Sequence, residues 1–330
     1  MGKRRKIGEF KIIERYFSPL AADEPGALGL LDDAALLSLE AGQRMVVTTD
    51  TMIAGIHFRS LDAPEDIAAK VLRVNLSDLA AMGATPISYT FSAALTDAVD
   101  EDWLARFTRS LASDQARYAI TLVGGDTVST PGLLSFSVTA FGSVDAGREL
   151  RRSSALPGDL IFVSGTIGDA AMGLLALRGE LEKLDGALAE ILIDRYLRPQ
   201  PRIELGRRLV GQAHAAVDIS DGLVADLGHI AQASKVVATL EASRVPLSPA
   251  ARAALSSDPS LITTVLTGGD DYELVFTSPP ETALPLERLA DEMGIALTCV
   301  GSVAEGSARV RVVDAAGREM AISNAGYQHF

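Results

Sequence analysis

Leu122-Val123-Gly124-Gly125-Asp126-Thr127 closes a short apolar run that begins at Ala119, and its reading decides the fold. Ala119 to Val123 reads as a buried strand that stops at two glycines, a carboxylate and a hydroxyl. Paired glycines let a backbone pass close to a bulky anion and turn its N–H groups toward phosphate oxygens. Asp126, at the end of that strand, is a hard-oxygen ligand of the kind magnesium takes beside such phosphates. Taken alone, a Gly-Gly-Asp turn after a strand is ordinary turn chemistry. Repetition gives it weight. Leu31-Asp32-Asp33-Ala34, Thr48-Thr49-Asp50-Thr51, Asp218-Ile219-Ser220-Asp221-Gly222 and Gly268-Gly269-Asp270-Asp271 are further acidic turns, each placed where an apolar segment ends.

Working outward toward the N-terminus, residues 7–18 space Ile7, Phe10, Ile13 or Glu14, and Phe17 as a short amphipathic helix, and a Gly/Pro-rich loop follows from Asp23 to Gly29. Ala34–Leu39 and Arg44–Thr49 read as strands, the second delivering Asp50 at its end with Thr48 on the same face. His57 falls in the polar loop beyond, where a lone histidine reads first as structural. Pro64–Ala84 reads as one long helix, started by Pro64 and stopped at Gly83. Asn75 and Asp78 share one face of it. A carboxylate on so apolar a helix is costly unless it is paired or bound to metal. Ile87–Leu95 (strand), Glu101–Tyr118 (helix) and Leu133–Val144 (strand) complete an alternating first half.

Residues 142–158, with Arg148, Arg151, Arg152 and Pro157, have the composition of a boundary, giving expected domains 1–148 and 149–330. The second half restarts with a strand at 159–164 and a glycine turn, Gly165-Thr166-Ile167-Gly168-Asp169, that lacks the full dinucleotide-binding spacing. Helices follow at 187–197 and 201–212, then a strand, Ala215–Ile219, which enters a helix through Ser220-Asp221-Gly222. The N-terminus of that helix favours an anion. Tyr272–Thr277 (strand), Glu281–Met293 (helix), and strands at Leu297–Val303 and Arg309–Val313 precede a tail carrying Tyr327.

Composition narrows the function. The chain has 330 residues and a formal charge of −13, with no basic stripe, which opposes a nucleic-acid partner. A single cysteine, Cys299, allows no internal disulfide, and four scattered histidines offer no zinc spacing, so a cytoplasmic setting is expected. The basic cluster Lys3-Arg4-Arg5-Lys6 leads into charged residues rather than an apolar segment, so no signal peptide is expected, and no apolar run reaches the ~18 residues a membrane span needs. The Met-Gly start lacks the Ser or Thr of a myristoylation site, having Lys6 there.

No Walker loop, kinase catalytic loop or G-x-S-x-G elbow is present. So many carboxylates brought together would repel one another, and several magnesium ions would relieve that. A multi-magnesium cradle with few general bases suits phosphoryl transfer to an acceptor already anionic. A phosphomonoester, with a second pKa near ~6, is such an acceptor. Metals and an arginine then offset the repulsion between two anions.

Taken in order, the motifs resemble those of the thiamine-monophosphate kinases, in the wider family that includes aminoimidazole ribonucleotide synthetase and selenophosphate synthetase. The resemblance is carried by Gly8-Glu9-Phe10, Asp32-Asp33-Ala34, Thr49-Asp50-Thr51, the run Asn75-Leu76-Ser77-Asp78 through Ala84, Gly124-Gly125-Asp126-Thr127, Asp218 through Leu223, and Asp271-Tyr272-Glu273-Leu274. It implies an α/β (α+β), two-domain synthetase-like fold, with an N-terminal nucleotide- and metal-binding domain forming a homodimer interface and a C-terminal α/β domain. It implies Mg2+-dependent, direct in-line transfer of the ATP γ-phosphoryl group to thiamine monophosphate, giving thiamine diphosphate and ADP. Asp33, Thr48, Thr49, Asp50, Asp78, Asp126, Asp218 and Asp221 match magnesium positions; Gly125, Asp126, Arg152 and Ser220 match nucleotide contacts; His57, Asp270 and Tyr327 match positions that hold thiamine monophosphate. Catalysis falls to Asp50, Asp78, Asp126 and Arg152. Two residues depart from the pattern: Leu31 stands where the family usually has Gly, and Asp270 where it often has Glu. The alternatives are another ATP-using enzyme of the same superfamily, such as a selenophosphate synthetase, and an inactive nucleotide-binding dimer. Cys299 is in the wrong place for the first, and the retained carboxylates argue against the second.

Overall fold

Two sheets carry the chain in the computed structural model, which describes residues 8–32, 34–322 and 325–327. Contacts divide it into two units, Met1–Leu79 with Thr85–Ala146, and Ala80–Ala84 with Gly147–Phe330.

In the first unit, α1 (Glu9–Ile12) widens into a π-turn at Ile13–Phe17 and then tightens into a 3-10 turn at Ser18–Ala21. Then come β1 (Gln43–Ile53), α2 (Pro64–Ala81), β2 (Thr85–Leu95), α3 (Glu101–Tyr118), β3 (Thr121–Ser129) and β4 (Ser135–Asp145). The strands lie in the order β1-β4-β2-β3, antiparallel except for the β2–β3 pair that α3 connects. Helix α3 starts where Asp100 accepts a hydrogen bond from the Trp103 N–H (2.9 Å) and stops at Ala119 in the left-handed region. Its buried residues Leu104, Phe107, Thr108, Leu111 and Asp114 recur at helical spacing. Phe107 stacks on Phe136 and Trp103, each with ring centroids 4.9 Å away, and burying such a ring contributes about 2 kcal/mol. Helix α2 is buried along nearly its whole length, and Arg73 within it forms a two-bond pair with Asp114 at 2.8 Å. Asp78 is one of the few half-buried positions on this helix.

Two expectations change here. Gly124-Gly125-Asp126-Thr127 does not end a strand; β3 runs straight through it. Register explains the glycines: Leu122 pairs with Tyr89 but Gly124 with Thr90, so Val123 is an extra residue in a bulge. A Cβ on Gly125 would sit 1.9 Å from the Phe91 carbonyl oxygen, so glycine is required by close approach to β2 rather than by a turn. Ala34–Leu39 is irregular, not a strand, because its Leu36 N–H is taken by the Gly26 carbonyl (2.8 Å) instead of a neighbouring strand.

The second unit contains β5 (Leu160–Ser164), α4 (Asp169–Leu177), α5 (Gly186–Leu197), α6 (Ile203–Leu209), β6 (Ala215–Asp218), α7 (Leu223–Ser234), β7 (Val237–Glu241), α8 (Pro249–Ser257), α9 (Ile262–Thr267), β8 (Leu274–Ser278), α10 (Ala283–Met293), β9 (Leu297–Ala304) and β10 (Arg309–Val313). Its six strands lie in the order β10-β7-β9-β5-β8-β6, with only β10–β7 parallel. Alternate residues of one strand enter different cores. Ile161, Val163 and Val275 pack with Leu227 and Ile230 of α7, whereas Phe162, Leu274 and Phe276 pack with Leu205 of α6 and Leu289 of α10. The sheet is therefore covered on both faces, which is why its strands read as continuous apolar runs.

Candidate active site

The first unit brings Thr48, Asp50 and Asp78 together. Thr48 and Asp50 are half-buried and share one face of β1. The Thr48 hydroxyl donates to Asp78 Oδ2 at 2.5 Å. Burial, and then the neighbouring charge of Asp78, push the Asp50 carboxyl up to about 6. Thr49 is exposed on the opposite face, its hydroxyl donating to the Val138 carbonyl (3.0 Å) and accepting from Thr139 (3.1 Å). Asp126 is exposed on β3, opposite Ser92 in register. A cavity of about 150 Å3 sits beside it, with Phe17, Leu30 and Phe91 on its apolar side and Asp32, Gly125 and Asp126 on its polar side. Asp33 lies outside the described residues. His57 is half-buried in the turn after β1, where its Nδ1 accepts the Ile53 N–H (3.1 Å); in the neutral ring the proton then sits on Nε2.

In the second unit, β6 ends at the buried Asp218 and the chain passes through Ile219-Ser220-Asp221-Gly222 into α7. Gly222 has φ 127, and a Cβ there would meet the Thr267 carbonyl oxygen at 2.6 Å. The loop is held from both sides. Oδ2 of Asp226 accepts the N–H groups of Ser220, Asp221 and Gly222 at 3.0, 3.0 and 3.1 Å. The Ser220 carbonyl accepts the Asp270 N–H (2.9 Å), and the Asp221 carbonyl accepts the Tyr327 N–H (3.0 Å). Ser220, Asp221, Asp270 and Tyr327 are thus brought together. Asp270 has φ 74, a left-handed conformation that a residue other than glycine holds at a cost. The Tyr327 ring is half exposed over a cavity of about 580 Å3 that Asp221, His229, Gln232, Arg309 and Glu319 also line. Arg152 lies in an exposed 3-10 turn, Arg152–Ser154, whose position is pinned by a hydrogen bond from Ser234 Oγ to the Arg152 carbonyl (2.8 Å).

Four acidic or basic groups to which the sequence reading gave no site role belong to this region: Asp226, His229, Asp271 and Glu273. Burial and then the charge of Asp221 push Asp226 up to about 7, against the pull of its three N–H donors. His229, one helical turn on, completes a group in which ligand atoms of Asp221, Asp226 and His229 lie within 4.8 Å of one another. Asp271 is buried and accepts the Gly168 (2.7 Å) and Ala170 (3.2 Å) N–H groups at the start of α4; burial pushes it to about 8. Glu273, wholly buried, receives Ser164, Arg195 and Arg202, the last through Nε at 2.6 Å. The signal for Asp226 was available: an aspartate among Leu223, Val224 and Leu227 on an apolar helix needs a partner, by the argument applied to Asp78.

These units are those of the AIR synthase related proteins. The profile of that family's N-terminal domain matches residues 31–144 and that of its C-terminal domain residues 157–314. The thiamine-monophosphate kinase of Escherichia coli K12 is 42% identical over 327 residues, covering 98% of each chain. Among solved structures, the thiamine-monophosphate kinase of Stenotrophomonas maltophilia K279a is 44% identical with a TM-score of 0.83, over 93% of this chain and 96% of that one. AaThiL complexed with AMPPCP and TMP is 31% identical with a TM-score of 0.78, over 100% and 99%. The chain belongs to the AIR synthase related family and, within it, to the thiamine-monophosphate kinases.

Proposed function

We propose that the chain transfers the γ-phosphoryl group of ATP directly to thiamine monophosphate, giving thiamine diphosphate and ADP. An ATP-dependent phosphotransferase of thiamine biosynthesis is what its family membership gives. The observation that carries the chemistry is the Asp50–Asp78 pair beside Thr48, in which burial first and the charge of Asp78 second raise Asp50 to about 6. A hard-oxygen set of this kind, Thr48 included, fits Mg2+ and fits few other partners. Magnesium bound there would neutralise phosphate charge and align the γ-phosphate. Asp33, Thr48, Thr49, Asp50, Asp78, Asp126, Asp218 and Asp221 are the proposed ligands.

Gly125 and Asp126, with Ser220 and Arg152, are proposed to hold the nucleotide, Arg152 offsetting charge on the phosphates. His57, Asp270 and Tyr327 are proposed to orient thiamine monophosphate. Asp50, Asp78, Asp126 and Arg152 carry the catalytic weight. No general base is required, because the acceptor phosphate is already an anion at neutral pH. Residues 1–148 are proposed as the nucleotide- and metal-binding and dimerisation domain and 149–330 as its α/β partner. Val47 and Val128, 55% and 49% exposed on strands of the four-stranded sheet, support a homodimer formed through that sheet. Among the described residues no helix is long and apolar enough to cross a membrane, and a cytoplasmic location is the proposed setting. Calorimetric titration tests the whole reading: thiamine monophosphate should bind protein preloaded with Mg2+ and AMPPCP. Absence of a binding heat across the micromolar to millimolar range would overturn it.

A further inference from the structure

The loop Ser220-Asp221-Gly222 supplies, through its carbonyls, the anchors of Asp270 and Tyr327, and all three of its own N–H groups converge on one oxygen. We propose that Asp226 is a positioning residue for the reaction, a carboxylate that fixes the Ser220–Gly222 backbone and thereby sets the nucleotide side and the acceptor side of the site together. The inference rests on the roles proposed above for Ser220, Asp221, Asp270 and Tyr327.

Asp226 is 2% exposed and stands in the first turn of α7, behind the loop rather than facing solvent. The N-cap residue supplies no side-chain cap, because Gly222 occupies that position. Three N–H groups pointing at one point form a cradle that would otherwise take an anion. Here the chain fills it with its own carboxylate. Charge-assisted bonds of this kind are about twice as strong as neutral ones and hold direction as well as distance. Successive N–H groups cannot turn to another acceptor without rotating the peptides. The same rotation would swing the Ser220 and Asp221 carbonyls away from Asp270 and Tyr327. The Gly269 backbone packs closely against the loop, since a Cβ there would lie 2.2 Å from the Ser220 carbonyl oxygen. A displacement near 1 Å of groups that align reactants costs on the order of 100-fold in rate, so a backbone device of this kind is visible in kinetics.

The test compares Asp226→Asn with two other variants. Asp226→Asn keeps the volume and removes the charge. Asp159→Asn is a stability control, because Asp159 is equally buried (2%) but bonds the Leu156 N–H (2.9 Å) and His214 (2.8 Å), away from the loop. Asp221→Asn tests the site roles on which the inference depends. ADP release is measured while MgATP and thiamine monophosphate are varied in turn. For Asp226→Asn, kcat/KM should fall at least ~10-fold for both substrates, with a thermal midpoint no lower than that of Asp159→Asn, whose kcat/KM values stay at the wild-type level. Wild-type kinetics in Asp226→Asn, or a loss of stability alone, would overturn the proposal. If Asp221→Asn is also silent, the fault lies in the roles given to the loop; if Asp221→Asn is impaired and Asp226→Asn is not, only the positioning role fails. Should Asp226→Asn not fold, amide hydrogen exchange on the unaltered protein decides. The Ser220, Asp221 and Gly222 amides should exchange as slowly as those within α7, and exchange at the rate of an open loop would refute the positioning role.

Discussion

Asp50 and Asp226 are both carboxylates lifted above their ordinary range by burial, to about 6 and about 7, yet their surroundings differ in kind. Asp226 receives three backbone N–H groups, and Asp271, also in the second unit, receives two. Asp226 and Asp50 each have a carboxylate neighbour whose charge adds to the burial penalty, Asp221 for Asp226 and Asp78 for Asp50, but at Asp226 the three N–H groups pull against it, whereas burial and Asp78 act on Asp50 in the same direction. One set of acids is consumed in building loops. The other is left in a state that a cation would relieve. Buried aspartates alone therefore do not mark a metal centre; what faces them does.

The largest expected effect breaks the first half of that comparison. Asp78→Asn should lower kcat by at least ~1,000-fold, equivalent to about 4 kcal/mol of transition-state stabilisation, while leaving the fold intact. Steady-state ADP release with circular dichroism as the folding check decides it, and near-normal turnover, or full activity in excess EDTA, would remove magnesium from the account.

Arg152→Lys should have a smaller effect, a fall of about 10-fold or more, because the charge remains while the planar fork proposed to meet the phosphates is lost. Since Arg152 stands in an exposed turn, the variant should unfold like wild type. A wild-type kcat/KM for MgATP would reduce this residue to a boundary charge.

The smallest effect concerns stability and carries a definite sign. The folded Asp50 pKa of about 6 lies above its ordinary value of 3.8, so its contribution to stability is fully present below 3.8 and is lost as pH rises through about 6. Burial is the larger cause and Asp78 the smaller, so removing the Asp78 charge can restore no more than about 1 pKa unit, or about 1.4 kcal/mol. Urea unfolding of metal-free Asp78→Asn should therefore show a gain of under about 1.4 kcal/mol at pH 7.5 and none near pH 4. Magnesium should stabilise the wild type more at pH 7.5 than at pH 5. A destabilised variant at pH 7.5 would mean that the two acids do not repel.

Much of this was legible in the sequence because the physics is local. The boundaries of α3 follow from the Asp100 cap and one apolar face, and Asp78 stood out because a charge on an apolar helix demands a partner. The glycine pair misled because a bulge in a parallel strand and a strand-ending turn use the same residues; only the register against Phe91 separates them. Residues 235–267 gave little signal, since β7 has five residues, α8 is rich in alanine and α9 spans six. Asp226 is legible only in part: its place on an apolar helix demands a partner, but an acid in the first turn also reads as ordinary complement to the dipole, and the sequence does not show that three N–H groups converge on one oxygen.

The central claim is that the acids near Asp50 serve cations and leave no base to deprotonate an alcohol, so the acceptor must bring its own negative oxygen. ADP release, with mass spectrometry of the products, should be measured with thiamine monophosphate and with thiamine at equal concentration. Thiamine monophosphate should be converted to thiamine diphosphate with stoichiometric ADP, and thiamine should give no ADP above the acceptor-free rate. Appreciable formation of thiamine monophosphate from thiamine would contradict the account, and would move His57, whose Nδ1 already holds the Ile53 N–H, from orienting the acceptor to taking its proton.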